Sequence, residues 1–151
     1  MKNQRGFTLI ELLLVTAIIG LISAIAVPNL LSAKKVAYES SAIRYLRTWS
    51  PGQELYKKAH GFYAATDEVL VQEHFIDKAL NSGGNADDNA FSYSIDSSST
   101  NPDGTPNTRT WFGRARRKSP VFATRSFYVD QNGVIRGAIG NTANATDPPI
   151  E

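Results

Sequence analysis

The sequence predicts an α+β protein: one long N-terminal helix laid against a small antiparallel β-sheet. Three observations lead there. Residues 7–27 form an almost unbroken apolar run, long enough to cross a bilayer. Helical spacing then continues to residue 60, with apolar residues gathered on one face. Beyond residue 90, three runs rich in aromatic and β-branched residues read as strands, the last folded back on itself through Asp130-Gln131-Asn132-Gly133. With 151 residues there is room for one domain besides the apolar segment. The remaining residues, about 120, suffice for one modest hydrophobic core.

The apolar run is 21 residues, about 30 Å as a helix, which matches a hydrocarbon core. Lys2 and Arg5 precede it and no comparable charge follows until Lys34, an asymmetry that favours a cytoplasmic N-terminus. Glu11 interrupts it. A charge near the bilayer interior costs roughly 2.5–3.5 kcal/mol, so a carboxylate there calls for a cation, and the run itself contains none. Cutting the chain after Gly6 supplies one, the α-amino group of Phe7. Two rival readings remain: a plain membrane anchor, and a secretory signal in which Ala24-Ile25-Ala26 directs cleavage after Ala26 and releases a soluble periplasmic binding domain starting at Val27. Glu11 within the apolar region, and the length of that region, count against the signal.

Gly6-Phe7-Thr8-Leu9-Ile10-Glu11-Leu12-Leu13 resembles the class III signal segment of type IV pilins and pseudopilins, and the likeness extends through Pro28. The resemblance implies a pilin-like fold and a division into leader 1–6, transmembrane and assembly helix 7–28, amphipathic continuation 29–60 and globular region 61–151. It also implies that a prepilin peptidase cuts between Gly6 and Phe7 and methylates the new Phe7 amine. Glu11 of an incoming subunit then pairs with the Phe7 ammonium of a subunit already in the filament. Leaving either charge buried alone is costly, so the pair favours insertion and axial register together. In filaments of this family the stretch matching Gly20 to Pro28 is commonly non-helical, and proline does weaken a helix by removing a donor and crowding the preceding turn.

From residue 29 the helix is expected to turn amphipathic, with Tyr38, Tyr45 and Trp49 on one face. Ser50-Pro51-Gly52 is a breaker, so a kink or stop is predicted near 50–52, with helix resuming at 53–60. Gly61-Phe62-Tyr63 resembles the Gly-x-Tyr that often closes the pilin helix. Thr66 is the expected N-cap of a short helix reaching residue 80, with Asp67 and Glu68 suited to its dipole. Residues 81–89 and 97–108 read as polar loops. Strands are predicted at 91–95, 110–116, 126–129 and 134–138, and 141–151 as a loose tail.

Chemistry of the enzymatic kind has little support in the composition. The two histidines, His60 and His74, lie in no zinc spacing, and no cysteine nucleophile, nucleophile elbow or P-loop occurs. No catalytic, metal or cofactor residues are assigned. Asp87, Asp88 and Asp96 with Asn85 and Asn89 offer oxygen ligands for calcium but lack the loop pattern of calcium-binding pseudopilins, so a solvated loop is the reading. Without cysteine the domain must be held noncovalently, a departure from the many pilins that close a C-terminal loop with a disulfide. Charge is segregated: residues 67–103 carry eight acids and one base, residues 109–136 seven bases and one acid. Arg114, Arg116, Arg117 and Lys118 form a candidate interaction surface, for a neighbouring subunit or for DNA.

The expected role is therefore a structural subunit, not an enzyme. As a precursor it crosses the inner membrane once, in contact with lipid and an assembly platform. It then polymerises, alone or with other pilins, into an extracellular type IV pilus-like filament serving adhesion, motility or DNA uptake. A pseudopilin of a type II secretion system is the alternative. The work of assembly falls to a separate ATP-driven machine, since this chain has no nucleotide site.

Overall fold

A computed structural model describes residues 7–77, 90–97 and 110–150, with Asp96 described in its backbone alone. The chain divides into two units, Met1–Lys34 and Lys35–Glu151. In the first, every described side chain is exposed and residues from Leu9 onward are helical. In the second, helix and sheet share one core.

Helix α1 is assigned over Leu9–His60. Within the globular unit its buried residues are Glu39, Ala42, Leu46, Trp49, Gly52, Gln53 and Tyr56. Apart from Gly52 these recur at alternating steps of three and four, the spacing of a single seam down a helix. Tyr38 and Tyr45 flank that seam and are only partly buried. The helix does not stop at 50–52: it runs through Ser50-Pro51-Gly52. Proline there forfeits one backbone bond at a cost of about 3 kcal/mol. Pro51 itself is exposed, however, while Trp49, Gly52, Gln53 and Tyr56 around it are buried. Each large apolar side chain buried contributes about 1.5–3 kcal/mol, so packing outweighs local propensity.

Gly61, at φ 84°, turns the chain out of α1. Gln53 then holds the departing strand of chain: its Oε1 accepts from the Ala64 N–H at 2.8 Å and its Nε2 donates to the Ala64 carbonyl at 3.0 Å. Helix α2, Asp67–Gln72, follows Thr66 as N-cap, though the Thr66 side chain makes no capping bond. It is shorter than the helix expected to residue 80. His74 takes a left-handed φ of 63°, and the Phe75 and Ile76 N–H groups bond back to the Leu70 carbonyl. That turn sends Ile76 against Gly52, where any Cβ on the glycine would lie 2.6 Å from it. The loop expected at 81–89, most of that expected at 97–108, and Lys78 to Leu80 lie outside the described residues.

Four strands, β1 (Phe91–Asp96), β2 (Phe112–Arg117), β3 (Arg125–Asp130) and β4 (Arg136–Ile139), form an antiparallel sheet in sequence order. Each lies within about two residues of its expected bounds. The β3–β4 turn closes as expected, with Gly133 N–H on the Asp130 carbonyl at 2.9 Å and φ 72° at Gly133. The inner face presents Phe91, Tyr93, Ile95, Ala115, Phe127 and Val129, all buried. Gly113 is its lowest point: a Cβ there would overlap the Trp49 ring. Residues 141–150 are not the loose tail the sequence suggests. Ala143 is buried, Ile150 packs on the core, and Pro149 bridges to Arg136.

Replacing Gly113 by alanine is expected to lower thermal stability of the detergent-solubilised chain by about 1–3 kcal/mol, the usual cost of overpacking. Gly20→Ala, with nothing within 4 Å of the added carbon, is the control and should leave the melting curve in place.

Candidate functional site

The candidate assembly segment begins where α1 begins. Thr8 stands one residue before the helix and Glu11 in its first turn. The Glu11 Oε2 accepts from the Thr8 N–H at 2.9 Å and from its hydroxyl at 2.8 Å, while the Glu11 N–H donates to Thr8 Oγ1 at 3.2 Å. This is a reciprocal capping box, and it satisfies donors that a helix start otherwise leaves open. Its signal, Thr-x-x-Glu before an apolar run, stands in the sequence and escaped the reading of Glu11 as a charge awaiting a partner.

The cap does not remove that need. A capping side chain contributes about 1 kcal/mol, whereas a carboxylate at membrane depth costs roughly 2.5–3.5 kcal/mol. Oε2 is held by neutral donors, which bring no opposite charge to it. The arrangement therefore fixes where the carboxylate sits, one turn into the helix. Phe7 is exposed beside it; Gly6 lies outside the described residues. Gly20 and Pro28 lie within α1, so the stretch between them is helical in the single chain. Helix α1 is long and apolar enough to cross a membrane by length and composition.

The four basic residues singled out on β2 do not share one face. Arg114 and Arg116 point away from the helix side, and Lys118 is exposed just beyond the strand. Arg117 has the opposite parity and its guanidinium is spent on structure. Its Nε donates to Asn141 Oδ1 at 3.0 Å, and its Nη1 to the carbonyls of Ala123 and Thr124 at 3.4 and 3.1 Å. Two residues not singled out join the outer face instead. Register places Tyr128 opposite Arg114 and Arg136 opposite Tyr128, so the phenol lies between two arginines. The Arg114 guanidinium sits 4.5 Å from the centre of the Phe112 ring, which stacks on Tyr128 at 5.8 Å. Burial lifts the Tyr128 phenol above its ordinary pKa, the Asp130 carboxylate adds to the rise, and Arg114 and Arg136 oppose it.

His60 pairs with Glu73 at 3.1 Å and stacks on Tyr56, a contact that ties α1 to the turn after α2. Among the described residues no group of three or more His, Cys, Asp or Glu is arranged to hold a metal ion. Of the oxygen ligands considered for calcium, Asn85, Asp87, Asp88 and Asn89 lie outside the described residues.

Residues 1–27 match the family described as the prokaryotic N-terminal methylation motif. The chain is similar to the type IV wide pilus major component PilA4 of Thermus thermophilus, 41% identical over 71 residues, which are 47% of this chain and 54% of that one. It is also similar to type II secretion system core protein G of Vibrio cholerae, 33% identical over 81 residues covering 54% of each chain. The core protein G of Escherichia coli is 34% identical over 68 residues, 45% of this chain and 47% of that one. The chain thus spans about half the length of the curated relatives it matches, which are named as a pilus major component and as secretion-system core proteins.

Removing the cap should be felt locally. With Thr8→Ala in micelles, hydrogen exchange of the Glu11 amide is expected to speed up by about fivefold, the equivalent of about 1 kcal/mol. Amides near Thr16 should be unchanged in the same spectra.

Proposed function

We propose that this chain is a structural subunit of a type IV pilus-like filament. One observation carries the reading: a carboxylate fixed by a capping box one turn into an apolar helix, directly after the Gly6-Phe7 junction. Prepilin peptidase cleaves between Gly6 and Phe7 and methylates Phe7. The precursor waits in the inner membrane, among lipid, until an assembly platform draws it into a polymer of pilins, and the mature filament lies outside the cell. There Glu11 meets the Phe7 ammonium of a neighbour. Within the polymer the helix opens between Gly20 and Pro28, where proline already removes one backbone bond.

A type II secretion pseudopilin is the second reading. It is supported by the core protein G relatives, whose similarity to this chain runs as long as that of the pilus component. Both readings share the processing chemistry and the filament; they differ in what the filament does. Surface pili lost on deletion favour the first, and a secretion defect without surface pili favours the second.

The outer sheet face bearing Arg114, Arg116 and Lys118 is assigned to contact between subunits, where the acid-rich segment 67–103 offers complementary charge. Filaments of Arg114→Ala/Arg116→Ala should fall apart at lower salt than the parent filaments. If they keep their salt resistance and instead lose salt-dependent DNA binding, the face serves DNA.

Intact mass and N-terminal sequence of the protein from its native membrane test the processing. The expected chain starts at N-methyl-Phe7. A chain starting at Val27, or an uncut Met1, overturns the filament reading. Glu11→Gln should be cleaved normally yet be absent from sheared filaments.

A further inference from the structure

The β2–β3 loop is built in a way its surface position does not require. Its internal turn is closed by Phe122 and Ala123 N–H groups on the Ser119 carbonyl, at 3.2 and 3.3 Å, and by Val121 N–H on Ser119 Oγ at 3.2 Å. Arg117 clamps it from β2 through the Ala123 and Thr124 carbonyls. Glu39 of α1 grips its far end, Oε1 accepting from the Thr124 and Arg125 N–H groups at 2.7 and 3.0 Å and Oε2 meeting Arg125 Nε at 3.0 Å. Ala123 is fully buried, yet the two larger apolar side chains at the tip face outward, Val121 at 58% and Phe122 at 41% exposure. Phe122 is propped edge-on against Tyr38, with ring centres 6.3 Å apart.

We propose that this loop is a wedge that dips into the surface of an anionic bilayer and seats the globular unit there before assembly. The inference rests on the reading of residues 7–27 as a membrane span. Lys35, where the globular unit begins, follows Val27 by eight positions, so even a fully extended link reaches at most about 29 Å. The bilayer surface is therefore within reach of Tyr38 and of the loop it supports. Charge selects the occupant. Lys35 lies one helical turn before Tyr38, and Lys118, exposed, opens the loop. The carboxylate that faces the loop from α1, Glu39, is consumed by Arg125 and backbone donors. An apolar tip with one lysine at the start of its loop and another one turn before its supporting Tyr38 suits lipid headgroups above acyl chains. The same surface on a second copy is repelled by like charge.

The chain has no cysteine, so one can be placed at will. The full-length protein carrying Val121→Cys, labelled with an environment-sensitive NBD dye, is reconstituted in phosphatidylethanolamine–phosphatidylglycerol vesicles. Asn132→Cys, at the exposed β3–β4 turn, is the reference. The expected result is a blue-shifted emission at position 121, quenched severalfold more strongly by headgroup-proximal spin-labelled lipid than at 132. Adding Phe122→Ser should reverse most of that difference. Water-like emission at both positions, in protein that floats with the vesicles, overturns the wedge and leaves the span intact. Protein that does not float overturns both. A blue shift at 121 that follows protein density and ignores the lipid quencher assigns the loop to a second copy.

Discussion

The globular unit depends on how closely Trp49 can approach strand β2. The indole is fully buried, and the space it fills exists because position 113 has no side chain. Ala115, two residues on along the same face, is also fully buried and keeps that strand low. Small residues on the strand under the large residue of the helix are the two halves of one fit, and interiors packed to crystal-like density tolerate little change in either. Tyr93 closes over the indole from β1 in an edge-to-face contact at 6.2 Å. The rest of the helix seam, Leu46 before and Tyr56 after, inherits its position from this point.

Two buried polar side chains then keep the helix from sliding along the sheet. Glu39 and Gln53 stand on the same seam, about 21 Å apart along a helix of ordinary rise. One receives the start of β3; the other pairs with both polar groups of Ala64 in the segment leaving the helix. Apolar contact is indifferent to small shifts, but a buried amide or carboxylate that loses its partners bears the full cost of desolvation, about 1–3 kcal/mol and more when charged. Register is thus fixed by hydrogen bonds at both ends and by shape in the middle.

This division explains what was legible in the sequence. The apolar segment at the start of α1 and the hairpin at 130–133 are written in local composition, and short-range physics decides them. Strand parity was legible too: Arg114 and Arg116 share a face as their alternation implies. Pro51 misled because local propensity was set against tertiary burial, and the burial of Trp49, Gln53 and Tyr56 is invisible until the sheet is in place. The end of α2 was missed for the same reason, since Ile76 leaves the helical path to reach Gly52. Tyr128 and Arg136 joined the basic face only through cross-strand register, which no single strand reveals. Arg117, counted with its neighbours by proximity in sequence, belongs to the loop it clamps.

The two units answer opposite demands. In the globular unit each large side chain of the α1 seam has a partner within the chain. The described part of the first unit has almost none: its apolar side chains stand exposed, and the capping box at Thr8 and Glu11 is the principal contact that it makes with itself. Such a segment has no fold of its own to lose. Under the proposed function it exchanges lipid for the helices of other subunits with little change in apolar burial, because acyl chains and leucine side chains are nearly equivalent surroundings. Between residues 7 and 33 the one charged side chain is Glu11, so under the proposed function it is what distinguishes the two states: lipid leaves it unneutralised, and a neighbouring ammonium is proposed to satisfy it. A mostly apolar helix that carries one carboxylate near its start suits the proposed passage from membrane to polymer, and the capping box holds that carboxylate one turn into the helix.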